Sequence, residues 1–135
     1  MSDLNTILKG IVDDVDGAVG AAVVDLNTGL LIGVAHNVPY FTQSYLDAVA
    51  ASAVDMFRGK NIRAVEKLMS STRGEAVEKS ITEVQMTTAN TYHFMLIHPN
   101  KPDTLIVLIT TKKANLGMGW SAVRSSTIDI EPFCP

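Results

Sequence analysis

The sequence predicts an α/β domain, a three-layer α-β-α sandwich around a central, five-stranded, mostly antiparallel sheet. Three observations support this fold class. Apolar residues recur at helical spacing in the first segment, several later segments are short apolar runs bounded by turn residues, and two of those runs are apolar on both faces. Strands that are apolar on both faces need helices above and below the sheet. The predicted order is α-β-β-α-β-β-β-α, with residues 1–135 as a single domain.

The composition fits one domain with a substantial core, since 47% of the 135 residues are apolar and 19% are charged. The net charge of −3 argues against nucleic-acid binding, which usually requires a basic face. One cysteine, Cys134, cannot form an internal disulfide, which favours the cytoplasm. We find no basic leader at the N-terminus and no apolar run of membrane length, so we expect a cytoplasmic protein without a membrane span.

The first element is an amphipathic helix. Its apolar residues follow the spacing i, i+3, i+4, i+7, i+8, i+11, which places them on one face. They are Leu4, Ile7, Leu8, Ile11, Val12 and Val15. Ser2 or Asp3 is expected to cap the start of this helix, and Gly17 to end it.

A hairpin follows, with strands over 18–24 and 30–34 and Gly29 at the position in its loop that favours positive φ. Asp25 and Asn27 alternate as acids and amides do in a calcium loop. An EF-hand counted from Asp25 needs glycine at its sixth position and glutamate at its twelfth, where this chain has Leu30 and His36. Asp25 and Asn27 are therefore interpreted as turn residues that bond nearby backbone.

A long helical segment comes next, approached by Pro39 and Thr42. Beside its apolar stripe it carries a second surface of small residues, Ala48, Ala51 and Ser52. Gly59 and Asn61 are positions where the helix could break or kink, after which the helical period resumes. The residues that resume it are Ile62, Val65, Leu68 and Met69.

Three further strands are predicted, over 77–88, 91–97 and 105–109, and a last helix starts near Asn115. The strand over 77–88 has few apolar residues, which is typical of a sheet edge. An edge strand exposes unpaired backbone groups, which are either protected by charged side chains or paired with another strand.

No catalytic motif is found. The phosphate loop and the nucleophile elbow are absent, and the segment Gly117–Gly119 matches only the first half of a dinucleotide loop. His36, His93 and His98, with a lone terminal cysteine, do not form a zinc ligand set. We therefore expect a protein that is not an enzyme and that needs neither a cofactor nor a metal.

Two surfaces are candidates for protein contacts. Arg58, Lys60 and Arg63 lie along the second half of the long helix, where they form either a solvated face or a contact surface for an acidic partner. The second surface could join two copies across a two-fold axis, although the alanines could equally pack within one chain. It comprises Ala48, Ala51 and Ser52 of the long helix and Ile81 and Val84 of the edge strand.

The chain resembles the Roadblock/dynein light chain family, which includes bacterial gliding-protein partners of Ras-like GTPases. The similarity covers nearly the whole chain, in patterns of apolar and turn residues. It rests on the opening helix from Leu4, the segment 15–25 leading into the first strand, the hairpin at Gly29, the strand pair 92–97 and 104–109, and Asn115-Leu116-Gly117 at the last helix.

The resemblance implies a five-stranded sheet between one long helix and two shorter ones, and dimers in which the long helices and third strands meet. It also implies a role as a scaffold or regulator of a small Ras-like GTPase. The hypothesis is therefore a homodimeric binding module whose Arg58, Lys60 and Arg63 face the GTPase. The alternative is a small-ligand sensor of the profilin or PAS type, with a pocket between sheet and helix.

Overall fold

A computed structural model describes residues 3–135 and has one five-stranded sheet in the order β2-β1-β5-β4-β3, with every neighbouring pair antiparallel. Helices cover both faces, so the predicted three-layer α/β fold is confirmed. The helices are α1 (Leu4–Asp14), α2 (Gln43–Arg58), α3 (Lys60–Arg73), α4 (Leu116–Ser125) and α5 (Thr127–Ile130). The strands are β1 (Ala18–Asp25), β2 (Leu30–His36), β3 (Glu83–Thr87), β4 (Thr91–His98) and β5 (Lys101–Thr111).

The central strands divide the core into two layers because their side chains alternate between faces. Phe94, Ile106 and Leu108 point toward α1 and α4, where Leu8 and Val123 complete the α1-side core. On the opposite face, the α2-side core includes Met95, Leu105, Val107, Ala50, Ala53 and Phe57. β4 and β5 are therefore covered on both sides, as their sequence predicts.

Local side chains fix several of the predicted boundaries. The Asp3 carboxylate accepts a hydrogen bond from the Thr6 N–H at 2.8 Å and caps α1, while Ser2 lies outside the described residues. Asn115 caps α4 by accepting from the Met118 N–H at 3.1 Å. In the β1–β2 loop, Asp25 accepts from the Asn27 N–H at 3.0 Å, and Gly29 has a φ of 73°. The interpretation of Asp25 as a turn residue is confirmed.

The long helical segment is two helices that meet at Gly59. The Gly59 N–H still donates to the Asp55 carbonyl at 3.0 Å, but its ψ of 162° is extended and ends α2. Its carbonyl then accepts from the Arg63 N–H in the first turn of α3. A Cβ at this position would clash with the Asp55 carbonyl oxygen, so the break requires glycine.

The third strand is shorter than predicted and begins at Glu83, because side chains of α3 hold the backbone that precedes it. The Ser70 hydroxyl accepts from the Val77 N–H at 2.7 Å, and the Glu66 carboxylate accepts from the Ser80 N–H at 2.7 Å. Glu66 is the buried residue of α3, and the hydrogen bonds from Ser80 lower its pKa. The backbone of 77–80 is thus bound to a helix and does not extend the strand.

The chain continues in regular structure after α4. The residues that follow form α5 and a 3₁₀ turn, Glu131–Phe133, and Ile130 is fully buried in the α1-side core. Cys134 packs partly buried against the same core, and burial raises the pKa of its thiol. Between residues 3 and 135, no helix has both the length and the apolar character needed to cross a membrane.

Candidate interaction surface

Strand β3 forms an edge of the sheet and pairs only with β4. At the two ends of this pairing, the Ile97 N–H donates to the Thr82 carbonyl and the Thr88 N–H donates to the Thr91 carbonyl. Because successive residues of an antiparallel strand direct their backbone groups to opposite sides, Val84 and Met86 bond β4. The backbone N–H and C=O groups of Glu83, Gln85 and Thr87 therefore point away from the sheet.

The polar side chains of β3 are held by α4. The Arg124 guanidinium pairs with the Glu83 carboxylate at 2.6 Å, and the Trp120 indole N–H donates to the Gln85 side chain at 2.9 Å. Val84, on the opposite face, packs against the α2-side core. The strand is thus amphipathic, and its polar composition follows from its contacts with α4.

An apolar groove of about 480 Å³, the α2–β3 groove, lies beside this edge on the α2 face of the sheet. Helix α2 lies toward the β2 side of the sheet and leaves the part of this face over β4 and β3 open. Tyr45 and the buried Phe41 stack at 4.9 Å at one end of the groove. Its walls are formed by Ala48, Ser52 and Met56 of α2, Met86 of β3, and His93 and Met95 of β4.

The structure brings together part of the predicted dimer surface. Ala48 and Ser52 line the α2–β3 groove, whereas Ala51 is exposed on α2 outside it. Ile81 and Val84 are half-buried against the α2-side core, on the same face of the sheet. Their contact with a second copy remains a prediction.

Sequence reasoning missed most of the groove residues, among them Tyr45, Met56, Met86 and His93. A local signal was available for two of them. Met86 follows Val84 by two residues, and His93 precedes Met95 by two, so each pair shares a face of its strand. The register then places Met86 directly opposite His93.

The groove is electrostatically almost neutral. Its titratable side chains are His93, Tyr40 and Tyr45, and neither a carboxylate nor an amine side chain lines it. The His93 Nε2 lies 3.0 Å from the Thr91 hydroxyl, and burial lowers the pKa of its imidazole. A neutral, apolar groove is suited to another apolar surface rather than to a charged ligand.

The predicted basic surface is divided. Arg58 donates to the carbonyls of Phe57 at 3.1 Å and Pro102 at 2.6 Å, and it lies 3.8 Å from Asp103. Its side chain is only 13% exposed. Lys60 and Arg63 are both exposed, and the Arg63 Nε donates to the Arg58 carbonyl at 2.9 Å. Only Lys60 and Arg63 thus present substantial surface to a partner.

Asp103 anchors this region to the sheet. Its carboxylate accepts from Lys79 at 2.9 Å and from the Asn27 amide at 3.2 Å. The hydrogen bond from Lys79 is the main reason that the pKa of Asp103 is lowered. Across the described part of the chain, no three histidine, cysteine, aspartate or glutamate residues are grouped as a metal site requires.

The sequence matches no family model and no curated protein. Among solved structures, a Roadblock/LC7 domain from Streptomyces avermitilis superposes with a TM-score of 0.72 at 17% identity, over 98% of each chain. The chain has the Roadblock/LC7 fold. MglB from Myxococcus xanthus shares this fold with a TM-score of 0.67 at 17% identity, over 93% of this chain and 89% of MglB.

A further MglB structure, described as having a tetrameric arrangement, gives a TM-score of 0.70 at 16% identity, over 95% of this chain and 85% of that one. The predicted resemblance is therefore confirmed in the fold. In this chain, the helix expected to be the long one of the Roadblock/LC7 fold is the pair α2 and α3.

Proposed function

We propose that residues 1–135 form one Roadblock-type domain, a non-enzymatic cytoplasmic protein that dimerises and scaffolds or regulates a small Ras-like GTPase. The observation that carries the proposal is the unpaired edge of β3 beside the apolar α2–β3 groove. An open edge is a liability unless something covers it. A second copy supplies both an identical edge and an identical groove.

The backbone directions of β3 favour one register for this dimer. If two β3 strands meet antiparallel about Gln85, the outward-facing Glu83 lies opposite the partner's Thr87, and all outward-facing backbone groups are paired. This register also keeps the Glu83 carboxylates apart, since like charges directly opposite each other are destabilising. On the groove side, Val84 meets the partner's Met86. Ala48 and Ser52 then allow two copies of α2 to approach closely.

Thr87→Pro tests the dimer. The Thr87 N–H points away from β4, so proline at this edge position removes no hydrogen bond within the chain. We expect the variant to fold and to be monomeric by sedimentation at concentrations where the wild type is dimeric. Thr87→Val keeps the N–H and should stay dimeric. A wild type that is monomeric at high concentration, or a dimeric Thr87→Pro protein, would refute the proposed pairing.

The GTPase is proposed because of the Roadblock resemblance, with Lys60 and Arg63 as the contact residues. Both side chains are exposed beside the break at Gly59, and exposed cations favour an acidic partner surface. Arg58 is expected to act by holding the break in place, because its guanidinium is bound to backbone carbonyls.

This role is tested by measuring binding of the protein to Ras-like GTPases of the source organism, each loaded with GDP and then with GTP. The rate of GTP hydrolysis by each GTPase is measured with and without the protein. Lys60→Glu combined with Arg63→Glu should weaken binding, whereas Lys112→Glu combined with Lys113→Glu, on exposed positions after β5, should not. A scaffold binds without changing hydrolysis, whereas a regulator changes the rate. Binding that is equal for both variants would reject the assigned surface.

One observation favours the alternative of a small-ligand sensor. The α2–β3 groove has a volume within the range of small-molecule sites and is lined mostly by apolar side chains. Thermal-shift screening of the Thr87→Pro protein against metabolites separates the two functions. Strong stabilisation by one metabolite would favour the sensor, because a ligand that binds the folded state raises its stability.

A further inference from the structure

A second pocket, the basic pocket, has a volume of about 420 Å³ and lies beside the end of β4, where β3 begins. Apolar side chains of β4 and of the turn into β5 form its walls: Leu96, Ile97, Pro99 and Pro102. Three cations from distant parts of the chain also line it, namely Arg58 of α2, Lys79 of the loop before β3, and Arg124 of α4. Within residues 3–135, no carboxylate side chain lines this pocket.

Two of the three cations share one carboxylate. The Lys79 Nζ lies 2.9 Å and the Arg58 Nη2 3.8 Å from the same oxygen of Asp103. Arg58 otherwise donates to the carbonyls of Phe57 and Pro102. Because a guanidinium carries five N–H donors and an ammonium three, both side chains retain donors for a further acceptor. The excess of positive charge favours an anion.

Arg124 supplies the third cation from the helix layer opposite α2. Its two hydrogen bonds to the Glu83 carboxylate, at 2.6 and 3.1 Å, are both donated by Nη2. In the described part of the chain, neither its Nη1 nor its Nε has a side-chain or backbone acceptor. A guanidinium is well suited to bind a carboxylate through such N–H groups.

The backbone of Lys79 is an independent sign that its side chain is used. Lys79 has a φ of 49°, the left-handed region that glycine and asparagine adopt at lower cost than lysine. The neighbouring Ser80 N–H, bound by the Glu66 carboxylate at 2.7 Å, helps to hold this conformation. Strained backbone of this kind is concentrated at functional sites.

The walls of the pocket are already in place. The His98 ring is 1% exposed, and both of its nitrogens are engaged, Nε2 with the Thr127 carbonyl at 2.8 Å and Nδ1 with the Asn100 N–H at 3.0 Å. Pro99 and Pro102 each have a φ fixed by the proline ring. A preformed pocket reduces the entropy that is lost when a ligand binds.

We propose that the basic pocket binds a small carboxylate with an apolar body, such as an aromatic acid. The carboxylate lies among the three cations, and the apolar body packs against Leu96, Ile97 and the two prolines. The volume is within the range of small-molecule sites. No lining residue is shared with the α2–β3 groove, so the site requires neither the β3 dimer nor a GTPase.

The proposal is tested by titrating isotopically labelled protein with naphthoate and following its amide NMR spectrum. The amides of Lys79, Leu96 and Ile97 should shift and saturate. Neutral naphthamide has the same shape without the charge, and acetate has the charge without the apolar body. Each should bind about tenfold more weakly than naphthoate, since each lacks one half of the recognition.

Paired variants locate the charge. Lys79→Asn with Arg124→Gln should weaken naphthoate binding about tenfold, and asparagine tolerates the left-handed backbone at this position. Lys112→Gln with Lys113→Gln removes the same charge from exposed positions after β5 and should leave the affinity unchanged. The Thr87→Pro protein should bind as the wild type does, because the pocket is formed within one chain.

Four results would overturn the proposal. Naphthoate could fail to saturate, or naphthamide could bind as tightly as naphthoate. The Lys79 and Arg124 double variant could bind as tightly as the wild type. Finally, the shifts could lie at Met86 and His93, which would place the ligand in the α2–β3 groove instead.

Discussion

The two edge strands of the sheet, β2 and β3, differ in how their outward side is covered. At β2, the Val34 N–H donates to the Asn5 side chain of α1 at 3.0 Å. Leu4 of α1 approaches Gly33 so closely that a Cβ there would lie 2.6 Å from its methyl carbon. A bulge interrupts the pairing of β2 with β1 opposite Val23 and Val24. Helix, side chain and bulge together close this edge.

Over Glu83–Thr87, the β3 edge has no covering helix, no side chain bonded to its outward backbone and no bulge. Its pairing with β4 is regular over Glu83–Thr87, and its polar side chains turn toward α4 rather than over the outward backbone. An open edge in this fold is therefore not a consequence of a strand's lying at the end of the sheet. The same sheet closes one edge with α1 and leaves the other beside an apolar groove, which favours an interaction at β3.

The largest effect is expected from opening the closed edge. Gly33→Val places side-chain atoms where Leu4 packs, and overpacking of this kind costs about 1–3 kcal/mol of unfolding free energy. Denaturant unfolding measures the loss, and light scattering should show new association through β2. Gly10→Ala is the matched control, since its Cβ has free space and alanine favours the helix. Equal stability of Gly33→Val and wild type would contradict closure by α1.

The next largest effect is expected in the groove beside the open edge. Ala48→Arg places a charge in the α2–β3 groove and should weaken dimerisation at least tenfold, about 1.4 kcal/mol. Ala51→Arg makes the same change on the same helix outside the groove and should have a smaller effect. Dissociation constants from sedimentation equilibrium compare the two. A greater loss for Ala51→Arg would show that the helices pair through a different face.

A smaller effect is expected from removing one of the contacts that close the β2 edge, the hydrogen bond from Val34 to Asn5. Asn5→Ala leaves the Val34 N–H without its acceptor and should cost about 1 kcal/mol. Asn5→Asp retains an oxygen acceptor and should recover most of the loss. Denaturant unfolding together with amide exchange of Val34 tests this directly. Unchanged protection of the Val34 amide in Asn5→Ala would show that the side chain does not close the edge.

The smallest effect concerns pH. Burial lowers the pKa of His93 below its ordinary value near 6.5, so the folded state disfavours the protonated form. As pH falls through that value, the unfolded chain binds the proton more readily, and unfolding free energy decreases until the folded-state pKa is passed. His93→Gln should reduce this decrease between about pH 7 and pH 5. An identical pH dependence in the variant would exclude His93 as its source.

Much of the fold could be predicted from the sequence because the signals are local. Helical spacing predicted α1, and capping residues predicted the starts of two helices, Asp3 for α1 and Asn115 for α4. Two segments that are apolar on both faces predicted that β4 and β5 are covered on both sides of the sheet. The turn at Asp25 was predicted because the residues that follow it do not have the spacing of an EF-hand calcium loop. In each case the deciding residues lie within a few positions of one another.

The interaction surface was only partly predictable because its parts are distant in sequence. Ser52 and Met86 line one groove, although more than thirty positions separate them in the chain. Arg58 looks like an exposed cation on a helix, yet its guanidinium is bound by the Pro102 carbonyl. Neither contact has a signature in the residues next to it.

The sequence by itself determined where α1, β1, β4, β5 and the start of α4 lie, since periodicity and capping depend on neighbouring residues. Only the tertiary structure decided that Glu66 and Ser70 shorten β3, that α1 closes β2, and that α2 leaves a groove beside β3. The physical reason is that side-chain hydrogen bonds and packing compete for the same backbone as a strand does. The outcome of that competition depends on which distant elements meet.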